Sequence, residues 1–256
     1  MRLKDKVVIV TGSTSGIGRA IAERCVAEGA QVLVHGIVRA DGEEVVARLG
    51  QSAALHLDDL VDPAAPARIA AAALKAFGKI TSIVNNAAIV PRTTIRTSTV
   101  ESFDRTMAIN VRAPLLLIQA AFDQLKAHQG SVVGIGSINA HSGEATFLDY
   151  STSKGAMQSL ACNLANAHAV DKVRFNHLNL GWVLTPREHA SQVAQGLPPD
   201  WLSHIPAAYI PSGGLIMPEA IAAAVMFWLG DESRPITGAT VDLEQFCVHA
   251  RNATKV

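Results

Sequence analysis

Short runs dominated by apolar residues recur along the chain at Val7–Val10, 31–35, Ala53–Leu57, 80–85, 131–136, 173–178 and Thr240–Leu243. Between them lie stretches with helical periodicity at 16–28, 42–49, 63–77, from 100 to 110 and on toward 127, and from 150 to 169. A strand apolar on both faces suits a parallel sheet buried on both sides, and a 3.6-residue period marks the helices that bury it. The alternation predicts an α/β fold, a doubly wound parallel sheet with helices on both faces. No linker, compositional break or solenoid-type repeat interrupts the series, so residues 1–256 read as a single domain.

One segment departs from the rhythm. Residues 181–218 hold six prolines, with Trp182, Trp201 and Tyr209 among them. A connection of that length reads as a functional lid or as an insert with small helices of its own. Its aromatic residues make it a candidate substrate cover; a structural arm packed on the body or on a neighbouring subunit is the alternative.

Composition narrows the function classes. Hydrophobic residues make up 49% and the mean hydropathy is +0.23, as for a chain with a well-filled core. The formal net charge is zero, so no global field recruits nucleic acid or an anionic membrane. Nine histidines are scattered without a ligand-like pair on one helical face, and no metal site is expected. Cys25, Cys162 and Cys247 are odd in number and form no CxxC, which suits free thiols in a reducing compartment. With no apolar leader and no run of roughly 20 apolar residues, a cytoplasmic protein is expected.

Candidate chemistry sits at two places. Gly12, Gly16 and Gly18 follow the first strand and open the first helix. Glycines there permit a tight turn and let backbone N–H groups approach a pyrophosphate at the helix N-terminus. The spacing differs from GxGxxG, and the Gly-Lys-Ser/Thr of a P-loop is missing. Tyr150 and Lys154 stand four apart, on one helical face, with Ser137 thirteen residues upstream. An ammonium beside a phenol favours the phenolate and is expected to lower its pKa from near 10. Ser137 with His141 and Glu144 nearby suggests a hydrolase, but Gly136-Ser137-Ile138-Asn139 lacks the Gly-x-Ser-x-Gly elbow.

Taken in order, Gly12-x3-Gly16-x-Gly18, Asn85-Asn86-Ala87-Ala88, Asn110, Ser137 and Tyr150-x3-Lys154 resemble the short-chain dehydrogenase/reductase family, from residue 6 to about 242. The resemblance implies a single Rossmann-type domain, NAD(H) or NADP(H) as cofactor, and hydride transfer at an alcohol or carbonyl carbon. It implies Tyr150 as general acid or base, and Lys154 as stabiliser of the phenolate and holder of the nicotinamide ribose. Ser137 would polarise and orient the carbonyl, and Asn110 would hold a relay water. Gly12, Ser15, Gly16, Ile17 and Gly18 would cradle the cofactor. Asp59, with Leu60, would contact adenine, Asp58 being an adjacent competitor. Asn86 and Ala87 would line the adenine-ribose side, and Thr185 would hold the carboxamide. The family also implies a homo-oligomer, a dimer or tetramer, built on the helix that carries Tyr150, whose small and apolar residues, Ala161 and Ala165 among them, extend beyond one stripe.

Three departures stand out: Ala88 for a glycine, Leu180 for a proline, and Leu243-Glu244 for Gly-Gly. The tail 244–256 is therefore expected to run differently and to reach a neighbouring subunit's site. Gly36 stands where an acid would bind ribose hydroxyls, and Arg39 lies close enough to pair with a 2′-phosphate, so NADP is favoured over NAD. Ser15 lacks the basic side chain common in NADP users. His141, Glu144, Phe147, Trp182, Leu184, Trp201 and Tyr209 are candidate pocket residues, suited to a sugar or polyol, with an apolar ketone or steroid-like alcohol as the alternative. A non-catalytic dinucleotide sensor of the same fold is the alternative to an enzyme.

Overall fold

Seven parallel strands form one sheet in the order β3-β2-β1-β4-β5-β6-β7. The computed structural model describes residues 1–249. The strands are β1 Val7–Val10, β2 Gln31–Gly36, β3 Ala53–Leu57, β4 Ser82–Asn85, β5 Ser131–Ser137, β6 Arg174–Leu180 and β7 Thr240–Leu243. The helices are α1 Gly16–Ala27, α2 Arg39–Leu49, α3 Ala65–Phe77, α4 Val100–Met107, α5 Ala113–Ala127, α6 Asn139–Ser142, α7 Leu148–His168, α8 Pro186–Ala194 and α9 Pro218–Leu229.

Strand pleating divides the core in two, because successive side chains point to opposite faces. Val8 and Val10 pack with Ile21 of α1, Val45 of α2 and Val225 and Met226 of α9. Ile9 and Leu33 join Ile69 of α3, Leu117 of α5 and Ala165 of α7 on the other face. After β3 the chain crosses the sheet so that β4 pairs with β1, in register Ile9 to Ile83. Connections leave β1 and β4 in opposite directions, and a crevice opens beyond their carboxyl ends.

Three elements differ from the sequence expectation. Helix α9 is apolar on nearly every side, so no polar stripe marked it. The expected helix from 100 toward 127 contains a π turn, Ala108–Arg112, which holds Asn110. Helix α7 begins at Leu148, placing Tyr150 in its first turn. Ala165 is 3% exposed in the subunit's own core, and Ala161 turns inward toward Ile118, Val132 and Phe175. Met157 and Ala165 of α7 pack inside the subunit, Ala156, Leu160, Ala161 and Leu164 are half-buried, and its exposed positions include polar Thr152, Asn163 and Asn166. Among the described residues no helix is long and apolar enough to cross a membrane. The expectation for the tail 244–256 falls partly on residues 250–256, outside the described residues.

Candidate active site

A cleft of about 1620 Å³ runs over the carboxyl ends of the strands. Its floor at one end is the glycine turn after β1. Gly12 has φ +64°, and a Cβ there would stand 2.9 Å from the Cα of Ala87. Gly18 lets α1 pack against Gly12 O, where any Cβ would overlap. Two side chains brace the turn. Thr11 Oγ1 accepts from the N–H groups of Asn86 and Ala87 at 3.0 and 3.1 Å. Asn86 Nδ2 donates to Thr11 O and Gly12 O at 2.9 and 3.1 Å. The α1 N-terminus has no side-chain cap at Ser15, so its unpaired N–H groups face the cleft. Uncapped donors beside side-chain-free glycines fit a pyrophosphate, and in that respect the residues present fit a dinucleotide.

His35, which sequence reasoning passed over, ties this end together. It is 2% exposed, its Nδ1 accepts from Gly12 N–H at 3.2 Å, and its Nε2 donates to Asp58 O at 3.1 Å. Burial pushes its pKa down to about 4, so the ring is neutral with one tautomer serving both bonds. A histidine at a strand end carries no motif, and only the fold brings its partners together.

The two acids compared in sequence both line the cleft and differ in their partners. Asp58 is bound at two points by Arg68, both contacts 2.7 Å, which holds its pKa down to about 2. Asp59 and Leu60 line the cleft, and the Asp59 carboxylate accepts from Val61 N–H at 3.0 Å. Arg39 is not brought to the cleft. It sits in the first turn of α2 with its side chain 73% exposed and 3.3 Å from Glu43, its i+4 neighbour. Ile37 lines the cleft there instead, and Gly36 is packed so closely that a Cβ would stand 2.7 Å from Thr14 Oγ1.

Toward the other end, β5 delivers Ser137 and α7 delivers Tyr150 and Lys154 to one wall. Ser137 Oγ accepts from Asn139 N–H at 3.2 Å, and its hydroxyl acts on Tyr150 to favour the phenolate. Lys154 is 4% exposed, and its Nζ donates to Ile135 O at 2.7 Å, 5.5 Å from the Tyr150 ring centre. The expected lowering of the Tyr150 pKa is not found in the ligand-free protein. Burial pushes the phenol up to about 12, outweighing the Ser137 hydrogen bond, while burial lowers Lys154 to about 8. Asn110 lies behind this wall: Oδ1 accepts from Ile89 N–H, and Nδ2 donates to Ile89 O and to Ser153 Oγ. Ser153 in turn donates to Tyr150 O at 2.7 Å. Both amide hydrogens of Asn110 are thus spent on protein groups.

The insert forms the far wall. Its two ends meet where Leu184 N–H donates to Ile216 O and Ile216 N–H to Trp182 O, at 2.8 and 3.1 Å. Between them the Trp182 and Trp201 rings stack at 5.5 Å. Trp182 Nε1 donates to Glu188 at 2.8 Å, and Trp201 Nε1 to His189 at 3.1 Å. Thr185 caps α8 through Glu188 N–H and lies next to Gly16. Of the pocket residues expected from sequence, Glu144, Phe147, Trp182, Trp201 and Tyr209 line the cleft; His141 and Leu184 do not. Glu244, Phe246 and Val248, after β7, line it as well. The Glu244 carboxylate accepts from Trp182 N–H at 3.2 Å and occupies the space a Gly181 side chain would need.

Comparison with known proteins follows the same lines. A family described as short chain dehydrogenase matches residues 6–195. The chain is 32% identical to 2-(S)-hydroxypropyl-CoM dehydrogenase 3 of Xanthobacter autotrophicus, covering 93% of this chain and 94% of the relative. It is 31% identical to an L-rhamnose 1-dehydrogenase (NAD(P)(+)) of a Sphingomonas species, with the same two shares covered. Among solved structures, a 3-oxoacyl (acyl-carrier-protein) reductase of Agrobacterium tumefaciens with NADP bound superposes with a TM-score of 0.86 at 29% identity. That match covers 94% of this chain and 93% of the other.

Proposed function

The chain belongs to the short-chain dehydrogenase family, and from that premise we propose that it moves a hydride between a nicotinamide cofactor and an alcohol or carbonyl substrate. The observation that carries the reading is the placing of Ser137, Tyr150 and Lys154 together on the wall of a cleft whose floor is the glycine turn. The α1 N-terminus with Gly12, Ser15, Gly16, Ile17 and Gly18 holds the pyrophosphate. Asp59 and Leu60 meet the adenine, Asn86 and Ala87 the ribose beside it, and Thr185 the carboxamide. When bound, the nicotinamide supplies or accepts the hydride.

In the reducing direction Ser137 donates a hydrogen bond to the carbonyl oxygen and fixes its direction. Tyr150 then gives that oxygen its phenolic proton, and with a pKa near 12 the phenol is fully stocked at neutral pH. Lys154, charged below about 8, stabilises the phenolate left behind and returns a proton to it. Asn110, whose side-chain amide bonds Ile89 and Ser153, would hold a relay water. In oxidation the same groups run in reverse.

NADP is the form we infer, on the strength of Gly36, which presents no carboxylate to a 2′-phosphate; Arg39 is exposed and pairs with Glu43. Stacked Trp182 and Trp201 beside Glu188 and Gln192 suit a polyhydroxylated ring, so a sugar or polyol is the substrate class we favour. Exposed Phe103, Leu115 and Leu148 on α4, α5 and α7 support assembly into a homo-oligomer. The reading is tested by Tyr150→Phe, followed by nicotinamide absorbance on a panel of sugars, polyols and ketones. Turnover should fall roughly 10²–10⁴-fold with cofactor binding nearly unchanged; full activity in the variant refutes it.

A further inference from the structure

Outside the cleft, three side chains distant in sequence converge: His141 on α6, Asp242 on β7 and His249 on the segment after β7. We propose that they form a divalent-metal site of the zinc type, which fastens that segment to the helix following Ser137. His141 Nε2 lies 3.1 Å from Asp242 Oδ1, and His249 Nε2 lies 3.6 Å from Asp242 Oδ2. All three ligand atoms fall within 4.8 Å of one another. Zinc binds imidazole nitrogen and carboxylate oxygen at about 2.0–2.2 Å in tetrahedral sites, which sets neighbouring ligand atoms about 3.3–3.5 Å apart. The two measured distances fall on either side of that spacing, each to a different oxygen of the Asp242 carboxylate, which would bind through both oxygens or turn one toward the metal. A separation of 3.6 Å is too long for a hydrogen bond, so His249 is not held at Asp242 by one.

Proton counting around Asn179 points the same way. Asn179 is fully buried, and its Nδ2 lies 2.8 Å from His141 Nε2, 3.1 Å from Gln158 Oε1 and 3.0 Å from Asp242 Oδ1. An amide nitrogen has two hydrogens for these three acceptors. A cation on His141 Nε2, like an Nε2–H donated to Asp242 Oδ1, removes one acceptor and leaves one hydrogen each for Gln158 and Asp242, so the arrangement accommodates a metal in place of that proton. Asn179 then orients the ligating carboxylate from behind, as outer partners of metal ligands do. The side chain of His249 is 65% exposed, so the site opens to solvent, with water able to fill a fourth position. A mixed imidazole and carboxylate set suits zinc and its transition-metal neighbours better than magnesium, which prefers six oxygen ligands.

The consequence reaches the cleft. Between Asp242 and His249 the chain carries Phe246 and Val248, which line the cleft, and Gln245, which accepts from Ser212 N–H at 3.1 Å and donates to Gly214 O at 2.8 Å. A metal would pin the free end of this wall while Gln245 holds its middle to the insert.

The full chain, freed of metal with a chelator, is titrated with Co²⁺ as a spectroscopic probe and dialysed against Zn²⁺ before elemental analysis. The expected results are the visible bands of four-coordinate cobalt and about one zinc retained per chain. His249→Ala, at an exposed position that leaves the core intact, should weaken Zn²⁺ binding by at least roughly tenfold. Asp242→Asn should do the same, and His128→Ala, at an exposed histidine elsewhere, should not. Hydrogen exchange at 244–249 should slow when Zn²⁺ is added and stay unchanged with Mg²⁺. Retention of no zinc would show a His141–Asp242 hydrogen-bonded pair alone and overturn the proposal. Equal binding by His249→Ala would place the metal on another histidine and overturn it as well.

Discussion

Replacing Lys154 with methionine keeps the side chain's length and removes its charge. Lys154 is 4% exposed, and its ammonium has a single hydrogen-bond acceptor among the described residues, Ile135 O. Burial lowers its pKa from 10.5 to about 8. At 1.36 kcal/mol per pH unit, keeping that charge inside the fold costs roughly 3 kcal/mol at neutral pH. The methionine gives up the bond to Ile135, worth about 1 kcal/mol. The variant should therefore be more stable by about 2 kcal/mol at pH 7, with Tm raised by roughly 4–8 °C for a chain of this size, while turnover collapses. The sign reverses with pH. Below about 8 the lysine is charged in both states and the cost is complete. Between 8 and 10.5 the folded chain sheds the proton that the unfolded chain still holds, so the unsubstituted protein gains stability as pH rises. By pH 10 the advantage of the methionine should have shrunk to nothing or inverted. Equilibrium denaturant unfolding without cofactor, at one protein concentration and at pH 7 and pH 10, reads the difference directly. A methionine variant less stable at pH 7, or an equal gap at both pH values, refutes this reasoning.

With the Tyr150 phenol raised to about 12, alcohol oxidation, which needs the phenolate, should quicken from pH 6 to 9, whereas carbonyl reduction should hold level to about pH 8; initial rates in both directions check this, and oxidation that slows with rising pH contradicts it. Gly36→Asp alone should weaken binding of both nicotinamides, because its Cβ meets Thr14 Oγ1 at 2.7 Å. Adding Thr14→Ala should recover affinity for NAD and not for NADP, as read by fluorescence titration; recovery of both would remove the 2′-phosphate from the explanation. If the exposed residues of α4 and α5 form the interface, sedimentation should show species larger than 27 kDa, and Phe103→Glu should reduce them; a 27 kDa species alone at micromolar concentration rules the assembly out.

What the sequence disclosed followed physical type. Strand positions were legible because a strand buried on both faces reads as an apolar run, and β1, β3 and β7 coincide with their expected bounds. The glycine turn and Tyr150 with Lys154 were legible because their spacing is local. Groups that act through distant partners were not. His35 matters through Gly12 and Asp58, and Glu244 through Trp182, contacts that no local pattern encodes. Asn110 was found, but its π turn was not, since a single extra residue in a helical turn leaves the apolar period almost unchanged. Arg39 was named for its nearness in sequence to the end of β2; the first turn of α2 carries its side chain outward to Glu43. Ala161 and Ala165 were singled out for a subunit interface, and Ala165 is buried within the single chain; burial within one subunit and burial between two leave the same residues in the sequence.

The hydrogen-bonded stem of the insert has an evolutionary consequence. Leu184 and Ile216 join its two ends through main-chain groups, which any side chains can supply, so what lies between is free to change in length and composition. Ser137, Tyr150 and Lys154 are carried on β5 and α7, outside that stem. Descent can therefore exchange the cassette between 186 and 215, Trp201 of the aromatic stack included, and acquire a new specificity while inheriting Ser137, Tyr150 and Lys154 intact.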